Sequence, residues 1–106
     1  MRSKIQGDTR EMRRIFKYPL KVIDKQSIMM PKGAQILCVQ RQDHGDGLEG
    51  PCIWALVAEG VDPENRTFLT IGTDHPIGKT LGKYIGSYQL RDGAFVGHVF
   101  EVEHDS

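Results

Sequence analysis

Cysteine and long apolar runs are scarce in this chain, and each scarcity excludes a class of protein. The chain has two cysteines among 106 residues. Two thiols cannot supply the several disulfides of a small secreted scaffold, and without a Cys-x-x-Cys pair they do not predict a zinc site. Cys38 and Cys52 lie in apolar segments, so we expect them to be buried and reduced.

No apolar run approaches the roughly 18 residues that a membrane-spanning helix needs. The N-terminal stretch has many charges and none of the features of a secretory signal. We therefore expect a cytoplasmic protein without a membrane partner.

Net charge is also lacking, because the formal net charge is zero, but the charges are unevenly distributed. Residues 1–25 contain eight Lys or Arg and three Asp or Glu, whereas residues 26–106 contain six and eleven. A basic segment attracts polyanions, so one hypothesis is nucleic-acid binding through Arg2, Lys4, Arg10, Arg13 and Arg14. The positive charges of a basic segment and the negative charges of an acidic body can also compensate each other within one fold, and we favour this interpretation.

The chain does contain many short segments rich in β-branched and aromatic residues, which are divided by Gly, Pro and Asp. This pattern predicts an all-β protein whose strands are mostly antiparallel, in a sandwich or a partly closed barrel. The seven candidate strands are "RIFKYPLK", "SIMM", "QILCVQRQ", "CIWALVA", "RTFLTIGT", "KYIGSYQL" and "AFVGHVFEV". The third and fourth are nearly continuous apolar runs, so we expect both to be central strands. Pro19 has no backbone N–H to donate to a neighbouring strand, so we predict that the first strand ends there or lies at an edge.

The length of the chain is sufficient for one hydrophobic core and too short for two ordinary domains. We predict a flexible basic extension over residues 1–13 and a single β domain over residues 14–104. The alternative is an α+β fold in which residues 5–14 form a short helix, because Asp8 or Thr9 can cap it.

The stretch "TIGTDHPIGKT" ends like a nucleotide-binding P-loop, but its spacing is wrong. Five residues instead of four separate Gly72 from the Gly-Lys-Thr that starts at Gly78. A P-loop also begins a helix, whereas Gly82 and β-prone residues follow here. We therefore exclude phosphate binding by this motif.

The same stretch is better interpreted as a structured loop between two strands. Its glycines can supply positive φ, and its aspartate can cap a turn. A histidine followed by proline favours extended geometry or, less often, a cis bond. Thr73, Asp74, His75 and Lys79 are our candidate residues for binding a ligand or a partner, although a structural role for His75 remains the alternative.

No set of residues with the spacing of a catalytic or metal site is found in the sequence. The loop "DHGDGLEG" contains carboxylates but misses the register of an EF-hand. Ser87 with His98 or His75 is the one nucleophile arrangement that neighbouring strands can gather, and it needs a carboxylate to orient the ring. We predict no catalytic residue, no metal ligand and no cofactor. Trp54 lies in an apolar strand, and we expect it in the core.

Taken together and in order, several segments resemble a family of small all-β proteins of unknown function encoded by bacteriophages and bacteria. The segments contain Pro-Lys-Gly-Ala, Cys-Ile-Trp-Ala-Leu-Val, Gly-Thr-x-His-Pro-Ile and His-Val-Phe-Glu. The resemblance covers residues 14–102, while the loop "HGDGLEG" and residues 1–13 depart from it. It implies a phage or prophage accessory or anti-defence factor in the cytoplasm of a bacterial host.

On this basis we expect a non-catalytic protein that binds a host protein or sequesters a small ligand. Nucleic-acid binding by the basic N-terminal segment is the alternative, and an enzyme that uses Ser87 ranks third. Small sheets with exposed edges often pair with copies of themselves, so we also expect a homo-oligomer.

Overall fold

The structure is a computed structural model that describes residues 12–43, 49–78 and 81–103. This part of the chain folds into seven strands and one short 3-10 turn. The strands are β1 (Arg13–Pro19), β2 (Lys25–Pro31), β3 (Gln35–Asp43), β4 (Glu49–Ala58), β5 (Pro63–Gly72), β6 (Lys83–Leu90) and β7 (Phe95–Glu101). The 3-10 turn covers Arg91–Gly93. All seven predicted strands are present, and the all-β prediction is confirmed.

The N-terminal helix of the α+β alternative does not include Arg13 and Arg14, because both are extended in β1. The rest of that helix, over residues 5–11, lies outside the described residues, as does most of the extension predicted over residues 1–13. The boundary between an extension and a domain stays a prediction.

The strands pair into two antiparallel sheets with the orders β1-β4-β3 and β2-β5-β7-β6. The sheets form a sandwich and approach each other most closely at β3 and β6. Between them lie the buried side chains of Leu20, Met30, Val39, Ile53, Val57, Phe68, Tyr88 and Val99. Apolar and polar positions alternate along most strands, so one face of each sheet enters the core.

The expectation that β3 is a central strand is wrong, although β4 is central. β3 is an edge strand whose ladder with β4 shifts register between Ile36 and Cys38. The intervening Leu37 is 44% exposed, because a bulge adds a residue that faces away from the regular ladder. The apolar run therefore reflects a bulged edge and not a strand covered on both faces.

Prolines end two of the strands as the sequence predicts. β1 is an edge strand that ends at Pro19, and β2 ends at Pro31. A tight turn follows, in which the Ala34 N–H donates to the Pro31 carbonyl at 3.0 Å. Gly33 has φ 81° at the third position of this turn, the conformation that a type II turn requires there.

An ion pair between β5 and β7 holds this turn against the sheet. The Arg66 guanidinium donates through Nε and Nη2 to the Glu101 carboxylate, with 3.0 Å between Nη2 and Oε1. Its Nη1 donates to the Ala34 carbonyl at 2.7 Å. Both side chains are only 13% exposed, and the Glu101 hydrogen bond is the main reason that the pKa of Arg66 is raised. The pair therefore joins three separate parts of the chain.

Trp54 is not a core residue, contrary to the sequence expectation. Its neighbours Ile53 and Ala55 face the core, so the alternation of the strand turns Trp54 to the outer side. There it lies opposite Lys17 of β1 and Cys38 of β3, and the Lys17 Nζ is 6.0 Å from its ring centroid.

Both cysteines are free thiols. Within the described ranges, no helix is long and apolar enough to cross a membrane.

Candidate functional site

The loop that follows β5 is fixed by backbone hydrogen bonds at its start. The Thr73 N–H donates to the Val96 carbonyl at 3.3 Å, and the His75 N–H donates to the Gly72 carbonyl at 3.1 Å. The positive φ predicted for the glycines is instead found at Asp74, with φ 70°. Aspartate tolerates this left-handed region better than most residues, which explains why it occupies the position.

The His75 imidazole packs directly against the backbone of Gly72. A Cβ at position 72 would lie 2.8 Å from both Cε1 and Nδ1 of the ring, closer than atoms can approach. Gly72 therefore makes room for the histidine, and this contact sets where the loop turns. The described residues contain no cis peptide bond, so the bond between His75 and Pro76 is trans.

Three adjoining depressions surround the His75 ring. The largest has a volume of about 440 Å³ and extends along β5 toward Asp24 and Pro76. A second, of about 130 Å³, is bordered by Asp24 and Phe95. The third, of about 340 Å³, lies on the outer face of the four-stranded sheet. His75 lines all three, so a ligand or partner seated in any of them would meet this side chain.

We call the third of these spaces the aromatic depression. It is lined by Thr73, Asp74, His75 and Ile77 of the loop, by Tyr84 of β6, by His98 and Phe100 of β7, and by the end of β5. Strand register explains the grouping, because Tyr84 pairs with Phe100 and His98 pairs with Ile71. Side chains at paired positions project from the same face of a sheet.

His98 is held by the loop at one ring nitrogen. Its Nε2 lies 2.8 Å from the Thr73 hydroxyl, and either tautomer of the ring can make this hydrogen bond. Ser87 lies directly opposite His98 in the β6–β7 register, as the nucleophile hypothesis requires. Among the described residues, however, the Nε2 partner is Thr73, and no carboxylate is hydrogen-bonded to the ring.

The buried Tyr88 lies beneath this end of the sheet. Its ring lies against Gly97, which is the register partner of Gly72, and a Cβ at position 97 would be 2.8 Å from the hydroxyl. Burial raises the pKa of the Tyr88 phenol. The nearby Thr70 side chain lowers the Tyr88 pKa and so offsets part of this increase, although the contact between the two side chains falls short of a full hydrogen bond.

The structure brings together three of the predicted binding residues, Thr73, Asp74 and His75. Arg13 and Arg14 lie on the other sheet, in β1. Arg14 donates from Nε to a Glu59 carboxylate oxygen at 2.8 Å. Lys79 and Arg10 lie outside the described residues. The predicted site therefore contains one cluster at the loop and does not join it to the β1 arginines.

Sequence reasoning missed that Tyr84, Phe100 and His98 meet the loop. The alternation of β7 already puts His98 and Phe100 on one face, which was a usable signal. Only the register of β6, β7 and β5 brings that face to Thr73.

Within residues 12–43, 49–78 and 81–103, no three His, Cys, Asp or Glu side chains converge as a metal site would require.

Comparison with known proteins places the chain in a family. No curated protein and no solved structure matches it. A family profile described as a domain of unknown function (DUF7352) matches residues 12–106, which is most of the chain. The chain therefore belongs to the DUF7352 family.

Proposed function

We propose that this chain is a non-catalytic binding protein whose binding surface is centred on the loop Thr73–Gly78. The observation that carries the proposal is the convergence of three depressions on one side chain, His75. Together they make the surface around His75 concave at one end of the four-stranded sheet. Concave surfaces with a few polar groups are where proteins usually bind their ligands.

The exposed apolar side chains of this surface support binding. Ile77 is 56% exposed and Tyr84 is 54% exposed, and both border the aromatic depression. Large apolar side chains that are clustered and exposed typically mark an interaction site. Three depressions spread along a sheet end suit the surface of a host protein better than they suit one small molecule. Sequestration of a small ligand remains the second form of the proposal.

The wider role that we propose is that of an accessory or anti-defence factor of bacteriophage or prophage origin. It acts in the cytoplasm of the bacterial host by occupying a host protein. The support for this role is the resemblance of the ordered sequence segments. Membership of a domain family of unknown function is compatible with the role.

Affinity capture from a bacterial host lysate tests the binding surface. The immobilised protein is compared with Ile77→Ser and with the matched variant Ile15→Ser, whose side chain is 60% exposed on the other sheet. We expect a specific partner to be retained by the wild type and by Ile15→Ser, and to be lost with Ile77→Ser. A partner that Ile77→Ser retains and Ile15→Ser loses would refute the loop surface.

A second candidate function is nucleic-acid binding, and one observation favours it. Arg13 and Lys17 project from the same outer face of β1, because they are four residues apart in a strand. Removal of residues 1–12 together with Arg13→Gln should then weaken DNA binding and reduce its salt dependence. If the truncated variant binds DNA with the same affinity and the same salt dependence as the wild type, this candidate is eliminated.

Homo-oligomer formation is part of the proposal as well. Each sheet ends in edge strands whose backbone groups can pair with a second copy, and β1 is one of them. Sedimentation that shows only monomer at high protein concentration would remove this part.

A further inference from the structure

We infer that the aromatic depression binds an arginine side chain presented by a protein partner. The inference depends on the proposed function and specifies the chemistry that its surface recognises. Three features carry it, namely an aromatic pair with one exposed ring, a carboxylate at the rim and a volume that suits one long side chain.

The first feature is the aromatic pair formed by Tyr84 and Phe100. Their ring centroids are 5.2 Å apart with an interplanar angle of 58°, and the pair lies across neighbouring strands on the outer sheet face. Tyr84 is 54% exposed. A guanidinium group stacks on such a ring, because the negative face of the π system attracts the cation.

The chain's own described cations do not use these rings. The described contact between a cation and a ring is that of Lys17 with Trp54, which is on the other sheet. None of the described residues that line the aromatic depression is Lys or Arg. Among the described residues, therefore, none supplies a cation to Tyr84, and the ring is open to a cation from another molecule.

The second feature is the negative charge at the rim. Asp74 lines the aromatic depression, and within the described part of the chain it has no ion-pair partner. Asp24 borders the two adjoining depressions. Residues 26–106 also contain eleven acidic side chains against six basic ones. This charge favours a basic partner, and a carboxylate accepts both arms of the guanidinium fork.

The third feature is the volume and lining of the depression. Its volume of about 340 Å³ is at the small end of ligand pockets, which suits one side chain. Ile77 forms an apolar wall that can cover the methylene stem of an arginine, while the head stays near Asp74. Lysine has the charge but lacks the planar fork, so arginine fits both the ring and the carboxylate better.

An NMR titration of the full chain with two peptides tests the inference. The first is acetyl-Gly-Arg-Gly-amide, and the second has citrulline in place of arginine, which keeps the shape and removes the charge. We expect the arginine peptide to shift the resonances of Tyr84, Phe100 and Asp74, and to bind about tenfold more tightly than the citrulline peptide. Equal binding of the two peptides, or shifts confined to other surfaces, would overturn the inference.

Variants of the depression make the test specific. Tyr84→Leu and Asp74→Asn should each weaken the arginine peptide about fivefold. Asparagine tolerates positive φ, so Asp74→Asn keeps the loop geometry and remains informative if Tyr84→Leu is unstable. Phe16→Leu is the matched control, because Phe16 is a 41% exposed aromatic residue on the other sheet, and it should leave binding unchanged. Unchanged binding in both depression variants would refute the inference.

The peptide titration and the lysate capture can fail separately. If the peptides bind equally and Ile77→Ser still loses a host partner, the arginine chemistry is wrong and the proposed function stands. If the arginine peptide binds at Tyr84 but the lysate yields no partner that depends on Ile77, the inferred chemistry stands and the proposed host-protein function is wrong.

Discussion

The imidazole of His75 lies against the α-carbon of Gly72, where a methyl group would be 2.8 Å from two ring atoms. We therefore expect Gly72→Ala to displace the ring and to disturb all three depressions that His75 lines. Because His75 is an exposed side chain that can move, the free energy of unfolding should change by less than about 1 kcal/mol. Capture of the partner should be lost.

Gly78→Ala is the control for this substitution. A Cβ at position 78 would have no described atom within 4 Å, and its backbone does not require positive φ. This variant should leave the His75 ring in its wild-type position, so it is the control for the displacement of the ring. Histidine chemical shifts and partner capture measure both effects, and an unperturbed His75 in Gly72→Ala would contradict the prediction.

The second prediction concerns the ion pair of Arg66 and Glu101. Glu101→Gln leaves the mostly buried Arg66 guanidinium with only the more distant carboxylate of Glu64, at 3.6 Å, so the free energy of unfolding should fall by about 2–3 kcal/mol. The exposed pair of Arg14 and Glu59 provides the control, with side chains 59% and 43% exposed. Glu59→Gln should cost less than about 0.5 kcal/mol. Urea unfolding measures the free energy of unfolding of both variants. An equal loss in the two would refute the claim that the Arg66–Glu101 pair stabilises the fold more than the exposed pair does.

The third prediction is an alkaline loss of stability through Tyr88. Burial raises the pKa of this phenol above its ordinary value of 10.0, so the folded state keeps its proton longer than the unfolded state does. The stabilisation is complete below pH 10.0 and falls as the pH rises from there through the raised pKa. Tyr88→Phe should make the decline shallower, while Tyr18, whose pKa burial also raises, still contributes. An unchanged alkaline slope would contradict this account.

The fourth prediction concerns the turn between β6 and β7. Arg91 and Asp92 have φ values of 54° and 55°, a region that costs a side-chain-bearing residue about 1 kcal/mol or more. Arg91→Gly relieves this strain, because arginine is not favoured in this region as aspartate is, although glycine adds entropy to the unfolded chain. We expect a net gain of about 0.5 kcal/mol. Asp62→Gly, at a loop position without positive φ, should instead lose stability, and thermal unfolding that shows the reverse order would refute the prediction.

Local pattern was sufficient to predict the seven strands, because alternation, prolines and glycines act within a few residues, although β2, β4 and β5 begin two or three residues before the predicted segments. It could not predict which strands share a sheet. β1 pairs with β4 and β2 pairs with β5, and nothing near either strand in the sequence specifies a partner so far away. The bulge at Leu37 was missed because it depends on the register with β4. The outward direction of Trp54 was missed because a nearly continuous apolar run does not show which alternate residues of β4 face the other sheet.

The site was predictable only in part. The Gly-Thr-Asp-His-Pro-Ile loop could be identified as a candidate because its turn residues follow a strand. Its meeting with Tyr84 and His98 follows from the order β5-β7-β6, which brings the loop and two other strands together. The arginines of β1 were made candidates for nucleic-acid binding on charge alone, and the fold puts them on a different sheet from the loop.

The central claim is that the loop surface around His75 binds the partner. Calorimetric titration of the captured host protein against the wild type, His75→Ala and Arg13→Ala tests it most directly. The account predicts that His75→Ala weakens binding by about tenfold or more, as loss of a central contact does, and that Arg13→Ala leaves the affinity unchanged. Unchanged affinity for His75→Ala together with a loss for Arg13→Ala would contradict it.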